Sequence, residues 1–298
     1  MINMNSARLL FFILFPAITY AQDDLLNQLE KQDSTRSFPV EATFKSTRVV
    51  NGQSVETMKK NHLDFRISHR FGRLNSGAYQ FFGLDQATMR MGFEYGVTDR
   101  LEVGVGRSTS QKVYDFFAKY KVLEQTTGGR TIPVSVTLFG GTGIATVNRE
   151  LVFQNKLYYT GQVLIARKFG EKLSLQLSPT WLFRNSPEIV GDEKILLALG
   201  IGGRYKLSKR VSLNGEYFYT AREKNTVTAP YHDSMSFGVD IETGGHVFQL
   251  HFTNSLGMIE KQFIGETAGT WSKGDIHYGF NISRTFSFDK KGKRASKI

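Results

Sequence analysis

From Leu63 almost to the C-terminus, apolar and polar residues alternate. Ala87, Met89, Met91, Phe93, Tyr95 and Val97 interleave with Thr88, Arg90, Gly92, Glu94 and Gly96. Leu173, Leu175, Leu177, Pro179 and Trp181 interleave with Ser174, Gln176, Ser178 and Thr180, and Ile276, Tyr278, Phe280 and Ile282 with His277, Gly279, Asn281 and Ser283. A period of two puts successive side chains on opposite faces of a strand, one apolar and one polar. The pattern predicts strands at 62–70, 87–97, 100–109, 113–122, 132–141, 158–169, 172–183, 194–207, 210–221, 234–243, 246–255 and 275–287. Tight connections at Thr98-Asp99, Gly170-Glu171, Ser208-Lys209 and Gly244-Gly245 alternate with long polar ones at Arg73–Gln86, Thr142–Lys156, Arg184–Glu193, Arg222–Asp233 and Gly257–Gly274. Leu123–Thr131, with Gly128-Gly129, is a longer turn on the tight side. Tight turns at one end and long loops at the other define an up-and-down barrel in a membrane, with the tight turns periplasmic. The expected fold is therefore all-β, a transmembrane antiparallel up-and-down β-barrel of about 12 strands. Residues 43–50 are left over. They suit either a periplasmic hairpin or, with Val55–Lys60, two further strands of a barrel of about 14.

The chain has 298 residues, of which 40% are hydrophobic and 13% aromatic, enough for an ordered fold. Its mean hydropathy of −0.27 resembles that of a water-soluble protein, which a barrel tolerates because only alternate residues meet lipid. Arg8, the apolar run Leu9–Ala17 and the small residues Thr19 and Ala21 before Gln22 form a secretory signal peptide, too short to span a bilayer. Asp23–Arg36, with Leu25, Leu26 and Leu29 at helical spacing, predicts a short helix. The expected organisation is a signal peptide at 1–21, a periplasmic segment at 22–61, the barrel at 62–288 and a basic tail at 289–298. A secreted β-sandwich also alternates. Against it stand the number of strands, the glycines on the polar face (92, 96, 104, 106, 200 and 202) and aromatics at strand ends (Phe65, Phe71, Tyr95, Trp181, Phe183, Tyr217, Tyr219 and Phe286) that suit an interfacial girdle.

If the apolar face meets lipid, the polar face lines the lumen. Candidate lumen residues are Arg66, Arg70, Arg90, Glu94, Glu102, Asp115, Lys119, Lys121, Glu216, Asp240, Glu242 and His251. Both signs occur, which fits either ion pairs bracing the wall or a water-filled pore with charge rows. A barrel of this size is wide enough for ions if no plug fills it. The expected function is a narrow solute or ion channel in the bacterial outer membrane. The alternative is a non-conducting scaffold for a periplasmic or surface partner, and a third reading is an outer-membrane hydrolase. His232 and Ser234 share a face of an extended segment but have no identifiable orienting carboxylate. His62 and His69, seven apart, fall on opposite faces of a strand. No nucleotide or metalloprotease motif occurs, so no catalytic residue, metal or cofactor is expected. The run Lys290–Lys297 in an exported chain suits a solvated tail or acidic periplasmic partners rather than nucleic acid. Expected partners are the bilayer, lipopolysaccharide, the barrel-insertion machinery and a small solute.

Several phrases carry a resemblance: His69-Arg70-Phe71-Gly72, Gly83-Leu84-Asp85, Tyr95-Gly96-Val97-Thr98-Asp99-Arg100-Leu101, Val105-Gly106-Arg107-Ser108, Thr253-Asn254-Ser255 and Gly279-Phe280-Asn281-Ile282-Ser283-Arg284. With these the chain, from about Thr43 to Phe288, resembles a family of bacterial membrane-bound β-barrel domains. The resemblance implies fold and location. The family has no assigned activity, so it carries no site residues.

The face assignment is testable. Met91→Arg puts a cation on the lipid face and is expected to cost about 2–4 kcal/mol near mid-membrane, whereas Arg90→Ala, on the polar face, is expected to spare assembly. Heat-modifiable gel migration after refolding into detergent measures both, and equal behaviour would refute the assignment.

Overall fold

The computed structural model describes residues 36–148, 150–189, 191–222 and 231–289. The proposed signal peptide, the helix expected over Asp23–Arg36 and the basic run Lys290–Lys297 lie outside these residues, save Arg36 itself. Among the described residues the chain divides into two compact units, one of residues 36–40 and 125–133 and the other drawn from residues 41–124 and 134–289. In the first, two short strands, β1 (Ser37–Pro39) and β6 (Thr126–Gly128), pair antiparallel.

The second unit is a closed antiparallel barrel of twelve strands. They are β2 (His62–Arg73), β3 (Ala87–Gly96), β4 (Leu101–Ser108), β5 (Val113–Leu123), β7 (Ser135–Ala145), β8 (Leu157–Phe169), β9 (Leu173–Arg184), β10 (Ile195–Lys206), β11 (Val211–Ala221), β12 (Ser234–Thr243), β13 (His246–Thr253) and β14 (His277–Ser287). Each pairs with the next, and β14 closes on β2, with Ile282 opposite Ile67. Closure removes the unpaired edges that a membrane does not tolerate. Residues 43–50 do not enter the barrel as a strand, and the fourteen-strand alternative falls away. Both edges of the proposed gap, β14 and β2, already satisfy each other's backbone groups.

The faces separate as alternation requires. Along β9 the odd positions from Leu173 to Trp181 are exposed and the even positions from Ser174 to Leu182 are buried. Met91, Phe93, Phe116, Leu138, Trp181, Leu197 and Tyr219 are among the large apolar side chains turned outward. The outward surface is thus matched to hydrocarbon, while Arg66, Arg70, Arg90, Glu94 and Lys119 are each at most 1% exposed inside.

Glycine on the inner face makes room for those large polar groups. Arg90 on β3 reaches across β4 to Asp115 on β5, with Nε 3.0 Å from Oδ1 and Nη2 2.5 Å from Oδ2. A Cβ at Gly106 of β4 would stand 2.3 Å from Arg90 Nη2, so only glycine leaves a path for this two-pronged pair. The geometry corrects one expectation. Arg90→Ala leaves Asp115 buried without its cation, which costs about 3–5 kcal/mol, so it is not silent for stability.

Gly106→Ala is expected to lower stability by about 1–3 kcal/mol through overpacking. Gly140→Ala, where no atom lies within 4 Å of the new methyl, is expected to change it little. Denaturant unfolding of the two variants in detergent checks this; equal stability would show that the Arg90 path does not depend on Gly106.

Candidate functional site

Residues just before the first barrel strand occupy the lumen. Ser54 N donates to Thr47 O at 2.9 Å and Val49 N to Gly52 O at 2.8 Å, which folds 47–54 into a tight hairpin. Thr43 and Ser46 through Val55 are buried, with Ser54 at 0% exposure. A hairpin with so few backbone bonds of its own is not stable alone in water. The wall supplies what it lacks.

The tip is held by one carboxylate. Backbone N–H groups of Val50, Asn51 and Gly52 donate to Glu216 of β11 at 3.1, 2.8 and 3.0 Å. The Asn51 amide oxygen accepts from Arg70 Nη2 at 2.7 Å, and Asn281 Nδ2 donates to Val50 O at 3.1 Å. Farther back, Arg66 Nη2 donates to the hydroxyls of Ser46 (2.7 Å) and Thr47 (2.8 Å). Lys119 Nζ donates to Thr47 O (2.9 Å) and Glu56 O (3.0 Å), and Glu102 accepts from Met58 N at 2.7 Å. Thr47 Oγ1 donates to Glu94. Gln176 is bidentate, accepting from Val55 N at 2.8 Å and donating to Gln53 O at 2.7 Å.

Most of the residues expected to line the lumen therefore line it as a socket. Arg66, Arg70, Glu94, Glu102, Lys119 and Glu216 grip the hairpin segment directly, and half-buried Glu242 pairs with Lys45. Arg90 and Asp115 brace the wall. Asp240 accepts from Gln249 Nε2 at 3.0 Å, and Gln249 also donates to Val49 O at 3.0 Å. His251 is buried without a hydrogen bond to either ring nitrogen, and Lys121, half-buried near the tight-turn end, sits 3.5 Å from Glu124.

The opposite end is filled by the β13–β14 loop, residues 254–276, which folds inward and carries the short helix α1 (Glu260–Gly265). Ile259, Phe263 and Ile264 are fully buried against Leu182 of β9, Leu196 of β10 and Phe218 of β11. Arg222 Nη2 and Arg184 Nη1 donate to Gly265 O at 2.7 and 3.4 Å, while Arg184 also pairs with Asp192 at 2.9 Å. The two fillings meet in the middle. Glu260 of α1 accepts from Gln53 Nε2 at 2.9 Å and lies 3.5 Å from Arg48 Nη1 of the hairpin.

Sequence reasoning missed this inward loop, although a signal was present. Leu182, Leu196 and Phe218 are large apolar residues at inward register positions of strands whose other inward positions are mostly polar or glycine, such as Gln176, Thr180, Gly200 and Glu216, and an apolar filling suits them. The proposed pair His232 and Ser234 is not assembled. His232 is exposed in the β11–β12 loop, and Ser234 Oγ is buried without any hydrogen-bond partner. His69 stacks on Phe280 on the outer face, and His62 lies near Asp289 at the tight-turn end. Among the described residues, no group of three or more His, Asp or Glu side chains is set to hold a metal ion.

The family model described as a membrane bound beta barrel domain (DUF5777) matches residues 44–286. No curated protein matches the chain in sequence. Among solved structures, the NanC porin aligns at 9% identity, covering 76% of this chain and 98% of its own, with a TM-score of 0.48. The KdgM porin in complex with disordered oligogalacturonate aligns at 11% identity over 76% and 99%, with a TM-score of 0.47. The COG4313 outer membrane channel from Pseudomonas putida F1 aligns at 14% identity over 78% and 97%, with a TM-score of 0.46.

Glu216→Leu strips the acceptor from three buried N–H groups, each costing about 1–3 kcal/mol if left unsatisfied. The expected outcome is a loosened hairpin in a barrel that still folds. A thiol-labelling assay on Ser54→Cys reads it: fast labelling only when Glu216 is replaced supports the socket, and equal rates with and without Glu216 refute it.

Proposed function

The chain belongs to the family of membrane bound β-barrel domains, and we propose that it acts as an outer-membrane channel closed at rest by its own N-terminal hairpin. The observation that carries this reading is the polar character of the hairpin–wall contact. Wall side chains that include Arg66, Arg70, Glu94, Glu102, Lys119, Gln176, Glu216, Gln249 and Asn281 bond to the segment, almost all to its backbone or hydroxyls. Exchange of such bonds for bonds to water costs about 0.5–1.5 kcal/mol net for a neutral pair and about 1.5–3 for a charged one. The apolar part of the contact is smaller, Phe44, Val49 and Val55 packed on Ala166 of β8, so most of what holds the plug has a counterpart in water. Its tether to β2 at Asn61 directs release toward the tight-turn end, the periplasmic side in such barrels. Behind it remains a lumen wall of mixed charge that favours water and small hydrophilic solutes.

The non-conducting scaffold shares this closed resting state and differs in what happens when the plug is absent. Because the inward loop fills the other end of the lumen, deletion of residues 43–57 together with replacement of residues 257–267 by a short linker is expected to convert silent bilayers into conducting ones. Replacing Arg90 and Lys119 by Gln in that background is expected to shift ion preference toward cations, since two inward cations are lost. Single-channel recording with folding confirmed by gel shift is the measurement. A correctly folded deletion variant that stays silent would favour the scaffold.

A further inference from the structure

Above the inward loop, at the long-loop end, two adjoining pockets share Arg73, Leu256 and His277. One encloses about 440 Å³ and the other about 230 Å³. Their polar lining is mainly amide and hydroxyl. In the larger, Gln86 Nε2 donates to Gln80 Oε1 at 3.2 Å, which leaves the Gln80 amide hydrogens and the Gln86 carbonyl for a ligand. Thr88 Oγ1, also in its wall, is buried without a partner. In the smaller, Gln262 Nε2 donates to Ser110 O and Oγ, both at 3.2 Å.

The charges here are already spoken for. Arg73 pairs with Asp275 at 3.1 Å, whose carboxyl is held below its ordinary range by the Asn75 amide and the Thr270 N–H. Lys261 pairs with Glu266 at 2.7 Å, and Gln111 Nε2 donates to Glu188 at 2.7 Å and to Glu266 at 2.8 Å. Arg184 Nη1 also lies 3.5 Å from Glu266, so three carboxylates balance three cations and the site carries no net charge with which to select an anion. Amides with unpaired donors and acceptors, between aliphatic stems and Leu256, match a compound with hydroxyls on an aliphatic ring.

The smaller pocket stands on the latch. Gln262 and Glu266 of its lining lie on and just after α1, and Glu260 of that helix holds Gln53 and Arg48 of the hairpin. We propose that this vestibule binds a neutral saccharide, and that occupancy draws α1 away from the hairpin and loosens the plug. The proposal rests on the closed-channel reading for its consequence, but binding itself is measurable without conductance.

The chain has two tryptophans, Trp181 on the lipid face and Trp271 in the inward loop against Phe237, their rings 5.8 Å apart. In a Trp181→Phe background, Trp271 emission reports on the loop. Maltotriose is expected to shift it saturably, trigalacturonate to do so at least about tenfold more weakly, and Gln86→Leu to weaken maltotriose by about tenfold. Lipopolysaccharide in the bilayer, compared with its absence, separates a free saccharide from a glycolipid headgroup: competition with maltotriose would assign the headgroup. Coupling is reciprocal, so maltotriose is expected to bind about tenfold more tightly to the chain lacking 43–57 and to speed labelling of Ser54→Cys in the intact chain. No saturable shift, or a shift indifferent to Gln86→Leu, overturns the site. Equal affinity with and without the hairpin overturns the link to the plug. Tighter maltotriose binding by the chain lacking 43–57, with silence of the barrel freed of both fillings, would sink the channel reading alone.

Discussion

One carboxylate organises the interior of this barrel. Glu216 projects from β11 into a space where an unpaired charge would be very costly, and three backbone N–H groups of the hairpin tip converge on it. The dependence is mutual. Without the hairpin Glu216 needs water, and without Glu216 the tip's N–H groups have no acceptor in the lumen. Sequence neighbours carry the same reciprocity outward. Gly52, whose added Cβ would fall 2.7 Å from the Phe218 ring, lets the tip lie flat against β11. Phe218 in turn packs edge-on to Phe263 of α1, with ring centroids 5.1 Å apart. A polar anchor and an apolar contact on one strand thus seat both fillings of the lumen.

The fillings differ in chemistry because they face different needs. The inward loop is held by apolar burial of Ile259, Phe263 and Ile264, reinforced by Arg184 and Arg222 on the backbone carbonyl of Gly265. Burial of three large side chains contributes several kcal/mol, at about 1.5–3 kcal/mol each. The hairpin is held chiefly by charge-assisted hydrogen bonds, with Phe44, Val49 and Val55 packed on Ala166 of β8. Glu260, in contact with Arg48 and Gln53, is a place where the state of one filling is felt by the other.

Strand number, face and topology were legible in the amino-acid order because each rests on local physics. Alternation from Ala87 to Val97 or Leu173 to Trp181 fixes which side chains meet lipid, and short Gly- or Asp-bearing turns fix which strands are neighbours. The observed strand β12, Ser234–Thr243, coincides with its expected span, and the others differ by a few residues at their ends. The charged inward residues were legible too, since Arg and Lys do not face hydrocarbon without large cost.

What fills the lumen was decided only by tertiary structure. The stretch 43–50 reads as a spare strand, and nothing local distinguishes a strand in the wall from a hairpin inside it. The difference lies in partners up to 231 residues away, such as Asn281 for Val50, which no periodicity encodes. The loop before β14 reads as a polar excursion into solvent, because a run that includes Gly257, Thr267, Gly269 and Lys273 hides the three apolar residues of its helix. Those residues gain an apolar wall only when Leu182, Leu196 and Phe218, from three separate strands, are brought side by side by closure of the barrel. Alternation settles the face of every strand, while the occupant of the space they enclose follows from which distant side chains that closure assembles.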